Sequence, residues 1–261
     1  ASVLIINGKG KNFAAGADID FFILNIEAGR IDRIVDFTRE AQATLAKIDC
    51  FPGNVIAVVD GFALGGGAEL MLTADVITAA PRALIGFPET GIGIYPGLGG
   101  TYRLTHKVGE GLAKYLIGTG QLLNGKDAAV IGLVDFCAAP EDMTTQWLLS
   151  QVQAVNAENA GKRELPGKWQ NISAFMIQYS LQELLEKTFT EDWQIKIQAR
   201  LRSKAPIALH LAMGLIHGAA SCGYDEAVAN ELAHLEEIFN TEDALTGLKS
   251  VGKYRPVFKG K

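Results

Sequence analysis

Residues 55–70 read VIAVVDGFALGGGAEL. The β-branched run 55–59 has the length and composition of a buried strand. Asp60-Gly61 stops it, and Gly65-Gly66-Gly67 then leads into Ala68-Glu69-Leu70, where a helical run begins. A strand that turns through glycine into a helix leaves backbone N–H groups near Gly66 without intrahelical partners, and such groups make an oxyanion or anion site. The same three glycines are equally what a plain strand-to-helix turn requires. Glu69 follows Gly66 by three positions, so on a helix it lies within one turn of that donor. Set among Gly, Ala, Leu and Met, it is either a functional carboxylate or a first-turn Glu favoured by the helix dipole.

Working outward, residues 3–6 read as a strand, a further strand is expected at 75–79, and residues 83–85 extend the pairing. Residues 33–47 carry helical periodicity through Ile34, Phe37, Ala41 and Leu45. This alternation predicts an α/β fold with parallel strands. A second glycine turn, FAAGADI at 13–19, follows the first strand and brings another free N–H to the same sheet edge, where open α/β sheets bind ligands. Glu89, in GFPETG at 86–91, is flanked by apolar and turn residues and taken alone reads as a solvated loop carboxylate. After about Pro140 the strand signal fades. Segments 141–157, 205–219 and 225–239 read as helices, with Pro206 at a first turn, and 159–170 reads as a loop or linker. The expected division is a core over 1–140 and a helical region over 141–261.

The 261 residues are 48% apolar, enough for a sizeable core, and the net charge of −5 supplies no basic field for nucleic acid phosphates. Cys50, Cys137 and Cys222 are odd in number, widely spaced and without CxxC pairing, so a disulfide framework and a zinc site are not expected and a reducing cytoplasm or organelle matrix is. His106, His210, His217 and His234 are scattered and no serine sits in GxSxG, so neither a Ser–His triad nor a metal site is expected. No apolar run approaches the roughly 20 residues of a membrane span. The first residues read as a strand already under way, as expected of a chain that begins inside a longer protein or has been processed.

These motifs occur together and in an order that resembles the crotonase (enoyl-CoA hydratase/isomerase) superfamily. The matching text is NFAAGADI at 12–19, residues 55–70, IGFPETGIGIYPGLGGT at 85–101, Arg103-Leu104, Val108-Gly109, NGKDAAVIGLV at 124–134 and Pro256-Val257-Phe258. The resemblance implies a spiral of ββα units followed by a helical C-terminal region that forms trimers, giving a homotrimer or hexamer. It places the N–H groups of Ala17 and Gly66 in an oxyanion hole for a thioester carbonyl, and Glu69 and Glu89 at the two acidic positions of the hydratases. It also places Ala15, Gly16, Asp18, Ile19, Tyr95 and Lys253 against the acyl-CoA substrate. Coenzyme A is then part of the substrate, with no separate cofactor. The presence of both acids favours hydration of a 2,3-enoyl-CoA over the isomerase and hydrolase branches that share the fold. A rival of another class is an RNA-binding hydratase relative, but residues 33–47 mix Asp36 and Glu40 with Arg33, Arg39 and Lys47. Against the family pattern, an N-terminal portion is missing from these 261 residues. The 140–205 region is longer than in short hydratases and is similar to the hydratase part of multifunctional fatty-acid oxidation proteins.

Overall fold

The computed structural model describes residues 2–158 and 164–261. The chain opens with β1 (Val3–Asn7), then α1 (Ile19–Glu27) and α2 (Ile31–Asp49), and the quoted stretch forms β2 (Asn54–Val59), β3 (Phe62–Leu64) and α3 (Gly66–Met71). Next come β4 (Val76–Ala79), β5 (Leu84–Gly86), a short 3-10 turn at Glu89–Ile92, α4 (Gly100–Val108) and α5 (Glu110–Thr119). The last strands, β6 (Leu123–Asn124) and β7 (Phe136–Cys137), flank α6 (Gly125–Val130).

Successive turns of the chain add one strand to each of two sheets. The first sheet runs β1-β2-β4-β7, all parallel; the second runs β3-β5-β6, with β6 antiparallel. An isolated parallel bridge between Ala14 and Ala63 lets the glycine turn after β1 join the second sheet. β2 is apolar on both faces because both are covered. Ile56 and Val58 pack toward Leu148 and Val152, while Ala57 and Val59 face the main core. On α2, Ile34, Thr38, Gln42 and Leu45 form the buried seam expected of a surface helix.

The rest of the described chain is helical: α7 (Thr145–Glu158), α8 (Gly167–Gln178), α9 (Leu181–Glu186), α10 (Asp192–Arg202), α11 (Pro206–Ala219), α12 (Tyr224–Ala233), α13 (Leu235–Phe239) and α14 (Glu242–Ser250). Three expectations need adjustment. The segment 141–157 begins with a 3-10 turn at Pro140–Asp142, and the helix proper starts at Thr145. Of the expected loop 159–170, residues 159–163 lie outside the described residues, and helix α8 has already begun at Gly167. Pro166 caps it in an extended conformation, and burial of Trp169 gives its first turn an anchor in the core. The helix expected over 225–239 breaks at His234, which caps both α12 and α13. The break turns Leu235, Ile238 and Phe239 into the main core, while α12 lies against α2 and α4. No helix among the described residues is long and apolar enough to cross a membrane.

The main apolar cluster crosses residue 140 without a gap. Leu112 and Leu116 of α5 join it with Trp169 and Met176 of α8 and with Leu209 and Ile216 of α11. At the opposite end, α3 packs on the turn after β1 so closely that a Cβ on Gly67 would stand 2.1 Å from the Ala14 carbonyl oxygen. Ala14 cannot withdraw, because its N–H donates to the Phe62 carbonyl and its own carbonyl accepts from Leu64 N–H, each at 3.0 Å. Gly67→Ala should therefore destabilise the protein by about 1–3 kcal/mol, as overpacking does, although Gly→Ala inside a helix ordinarily stabilises by up to about 1 kcal/mol. Urea unfolding of the variant checks the sign.

Candidate functional site

The turn after β1, the start of α3 and the turn after β5 converge on a cavity of about 110 Å³. Its floor is Ala15, Gly16, Ala17, Gly65 and Gly66, and its wall is apolar, with Phe22, Phe37, Ile92, Ile94, Leu98 and Phe239. Two carboxyl groups reach it, Glu69 and Glu89, 2% and 6% exposed.

Two backbone donors face this space. Among the described residues, neither Ala17 N–H nor Gly66 N–H has an acceptor. A Cβ built on Gly66 marks their common ground: it would lie 3.9 Å from Ala17 N, 4.0 Å from Glu69 Oε2 and 3.4 Å from Leu98 Cδ1, all ordinary contacts.

The two carboxyls differ in what holds them. Glu69 Oε1 accepts from Leu98 N–H at 2.7 Å and Gly100 N–H at 2.9 Å, which leaves Oε2 toward the cavity. Burial pushes its pKa up to about 7, opposed by those two hydrogen bonds and by the positive charge of Arg103. Arg103 is itself fixed by a 2.5 Å pair with Asp49. Glu89 heads the 3-10 turn, and its buried Oε2 has no hydrogen-bond partner. Burial raises its pKa well above the usual carboxylate range, the nearby charge of Glu69 adds to this, and only its own backbone N–H opposes. Near neutral pH the pair therefore holds one group close to its titration point and one protonated.

Of the other residues the sequence singled out, Ala15, Gly16, Ile19 and Tyr95 line the cavity. Tyr95 O–H donates to the Glu231 carbonyl at 2.5 Å. Asp18 lies beside the cavity lining and caps α1, its carboxylate accepting from Asp20 N–H. Lys253 is exposed just beyond α14 and is not among the lining residues. Sequence reasoning passed over Glu231, a fully buried carboxylate on α12 whose pKa burial and the charge of Glu69 push up to about 8. The one signal for it was phase: Ala227, Glu231 and Leu235 recur at spacing four, on the side that is buried.

Residues 1–253 match the model of the enoyl-CoA hydratase/isomerase family. The chain belongs to that family. It is 42% identical over 164 residues to a crotonyl-CoA hydratase of Syntrophomonas wolfei, covering 62% of this chain and 60% of that protein's length. It is 31% identical over 242 residues to a short-chain-enoyl-CoA hydratase of Clostridium acetobutylicum, covering 92% of this chain and 73% of the relative. An enoyl-CoA hydratase of Rhodobacter sphaeroides has the same fold at 23% identity, with a TM-score of 0.78 over 99% of this chain and 79% of that one. The two-sheet spiral with its helical C-terminal region is thus the crotonase fold of the family.

A carboxyl group whose folded pKa is raised costs stability as pH rises from its unfolded value, because the folded state holds its proton longer. Glu89→Gln removes that cost without changing shape. It should raise Tm at pH 8 by roughly 2–4 °C, the shift that about 1 kcal/mol produces in a chain of this size. At pH 5, where the unfolded carboxyl is already partly protonated, the gain should shrink, and paired melts at the two pH values check this.

Proposed function

We propose that this protein hydrates a 2,3-enoyl-CoA thioester to the 3-hydroxyacyl-CoA, with Ala17 and Gly66 N–H groups holding the thioester oxygen and Glu69 and Glu89 dividing the proton work. The observation that carries the reading is the convergence, on one apolar cavity, of two unpartnered N–H donors and two buried carboxyls in unlike environments. Adding water to the conjugated double bond drives negative charge onto the thioester oxygen, where fixed N–H dipoles act most strongly. Glu69, with its cavity-facing Oε2, takes a proton from water as the hydroxyl adds to C3. Glu89, held protonated by burial, delivers its proton to C2. A proton passed back from Glu69 to Glu89 resets the pair, so one water is consumed and no charge accumulates.

The hydratase names of the two relatives support crotonyl-CoA as the first substrate to try. The family resemblance further supports a homotrimer or hexamer assembled through the helical region. It also supports a place in fatty-acid β-oxidation, in a cytoplasm or organelle matrix.

Glu69→Gln and Glu89→Gln should each lower kcat by roughly 100- to 10,000-fold, the usual contribution of a positioned acid or base. KM for crotonyl-CoA should change far less, because the groups act on the transition state. Gly66→Ala gives an independent check on the oxyanion hole. The added methyl meets only ordinary contacts, so the protein should melt normally, yet it occupies the space between Ala17 N and Glu69 Oε2. Turnover should fall roughly 100- to 1000-fold, as when an oxyanion donor is lost. Chromatography of the 3-hydroxyacyl-CoA product reads the turnover. Wild-type turnover in a folded Gly66→Ala protein would remove the carbonyl from this position.

A further inference from the structure

Four successive backbone amides at the head of α4 are shared alternately between two buried carboxylates. Leu98 and Gly100 N–H donate to Glu69 Oε1. Between and after them, Gly99 N–H donates to Glu231 Oε2 at 2.7 Å and Thr101 N–H to Glu231 Oε1 at 3.2 Å. Thr101 Oγ1–H adds a 2.5 Å bond to the same Oε1, and Gln42 Nε2 reaches Oε2 at 3.4 Å while also donating to the Gly97 carbonyl at 2.8 Å. Both oxygens of Glu231 are thus met only by donors, and the residue is 0% exposed. It does not line the cavity.

Adjacent amides in a turn cannot move independently, since each peptide is planar and the next shares its Cα. Whatever fixes Gly99 and Thr101 therefore fixes Leu98 and Gly100. We infer that Glu231 is a positioning residue for the proposed hydration: by holding the Gly99 and Thr101 amides it aims the two donors that orient Glu69 and keep its other oxygen on the cavity. The inference rests on the role proposed for Glu69. The charged and titratable groups around Glu231 are Glu69 on α3, Tyr95 in the preceding turn and Tyr224 on its own helix. None of them supplies a second acceptor for the amides of Gly99 and Thr101.

Glu231→Gln keeps the shape and removes one acceptor oxygen, so in either amide orientation an N–H₂ group faces donors. With crotonyl-CoA, kcat should fall about 10- to 100-fold and KM stay within about threefold, since residues of one hydrogen-bond network couple strongly. A role through Glu69 has a signature that a merely structural role lacks. In a Glu69→Gln background, adding Glu231→Gln should lower kcat by less than about threefold, because there is no carboxylate left to aim. Thr101→Val, which removes one donor and keeps the carboxylate, should give a smaller loss of the same kind and serves if Glu231→Gln folds poorly. Wild-type kcat in folded Glu231→Gln, or an equal fold-loss in both backgrounds, would overturn the inference. Wild-type turnover in Glu69→Gln alone would instead overturn the proposed role of Glu69 and take this inference with it.

Discussion

Glu69 Oε1 accepts from the amides of Leu98 and Gly100, and through that pair of bonds the first turn of α3 in one turn of the spiral is tied to the head of α4 in the next. The bond pattern is favourable because the first amides of a helix have no partners of their own and carry its positive pole. Glu231 meets the same pole from α12, on the far side of the turn. A helix start thus becomes the meeting point of elements that are distant in sequence, with residues 69, 98–101 and 231 joined in one small network. The candidate site is a by-product of how the spiral closes, not an addition to it.

The same arrangement explains how one residue type takes on different states in and beside one cavity. Glu69, Glu89 and Glu231 are all buried, and burial raises the pKa of each. What separates them is the count of donors within reach: two backbone amides on Glu69, none but its own N–H on Glu89. Taking carboxyl groups out of water costs stability, and each hydrogen bond recovers only part of it. The surrounding core, in which α5 packs between α8 and α11, supplies the opposing apolar burial. An apolar wall also strengthens any charge interaction inside the cavity, which suits chemistry that develops negative charge on an oxygen.

Much of this is legible in local sequence pattern. Strands β1, β2, β4 and β5, helices α2 and α11, and the glycine turn into α3 were each legible, because period and turn chemistry are short-range properties. The motif resemblance added the family, with Ala17, Gly66, Glu69 and Glu89 as its candidate residues, and these meet in one cavity. The helix break at His234 was not legible, since nothing in residues 225–239 interrupts helix propensity; both halves pack on α2, but α12 also lies on α11 and α4 while α13 turns toward α14. The start of α8 was hidden for the opposite reason, as Pro166 and Gly167 read as loop residues until Trp169 is seen buried.

By itself, then, the sequence determined the α/β class, the family and the two pairs of residues that lie within its motifs, because each of these depends on neighbours a few positions apart or on an ordered set of matching segments. Only the tertiary structure decided the rest. That Glu69 keeps one oxygen free while Glu89 lacks an outside partner, that Phe22, Phe37 and Phe239 wall the cavity, and that Glu231 grips the turn that orients Glu69 are all outcomes of which surfaces come together. Burial and hydrogen bonding set the state of a carboxyl group, and both are supplied by residues up to 189 positions away along the chain.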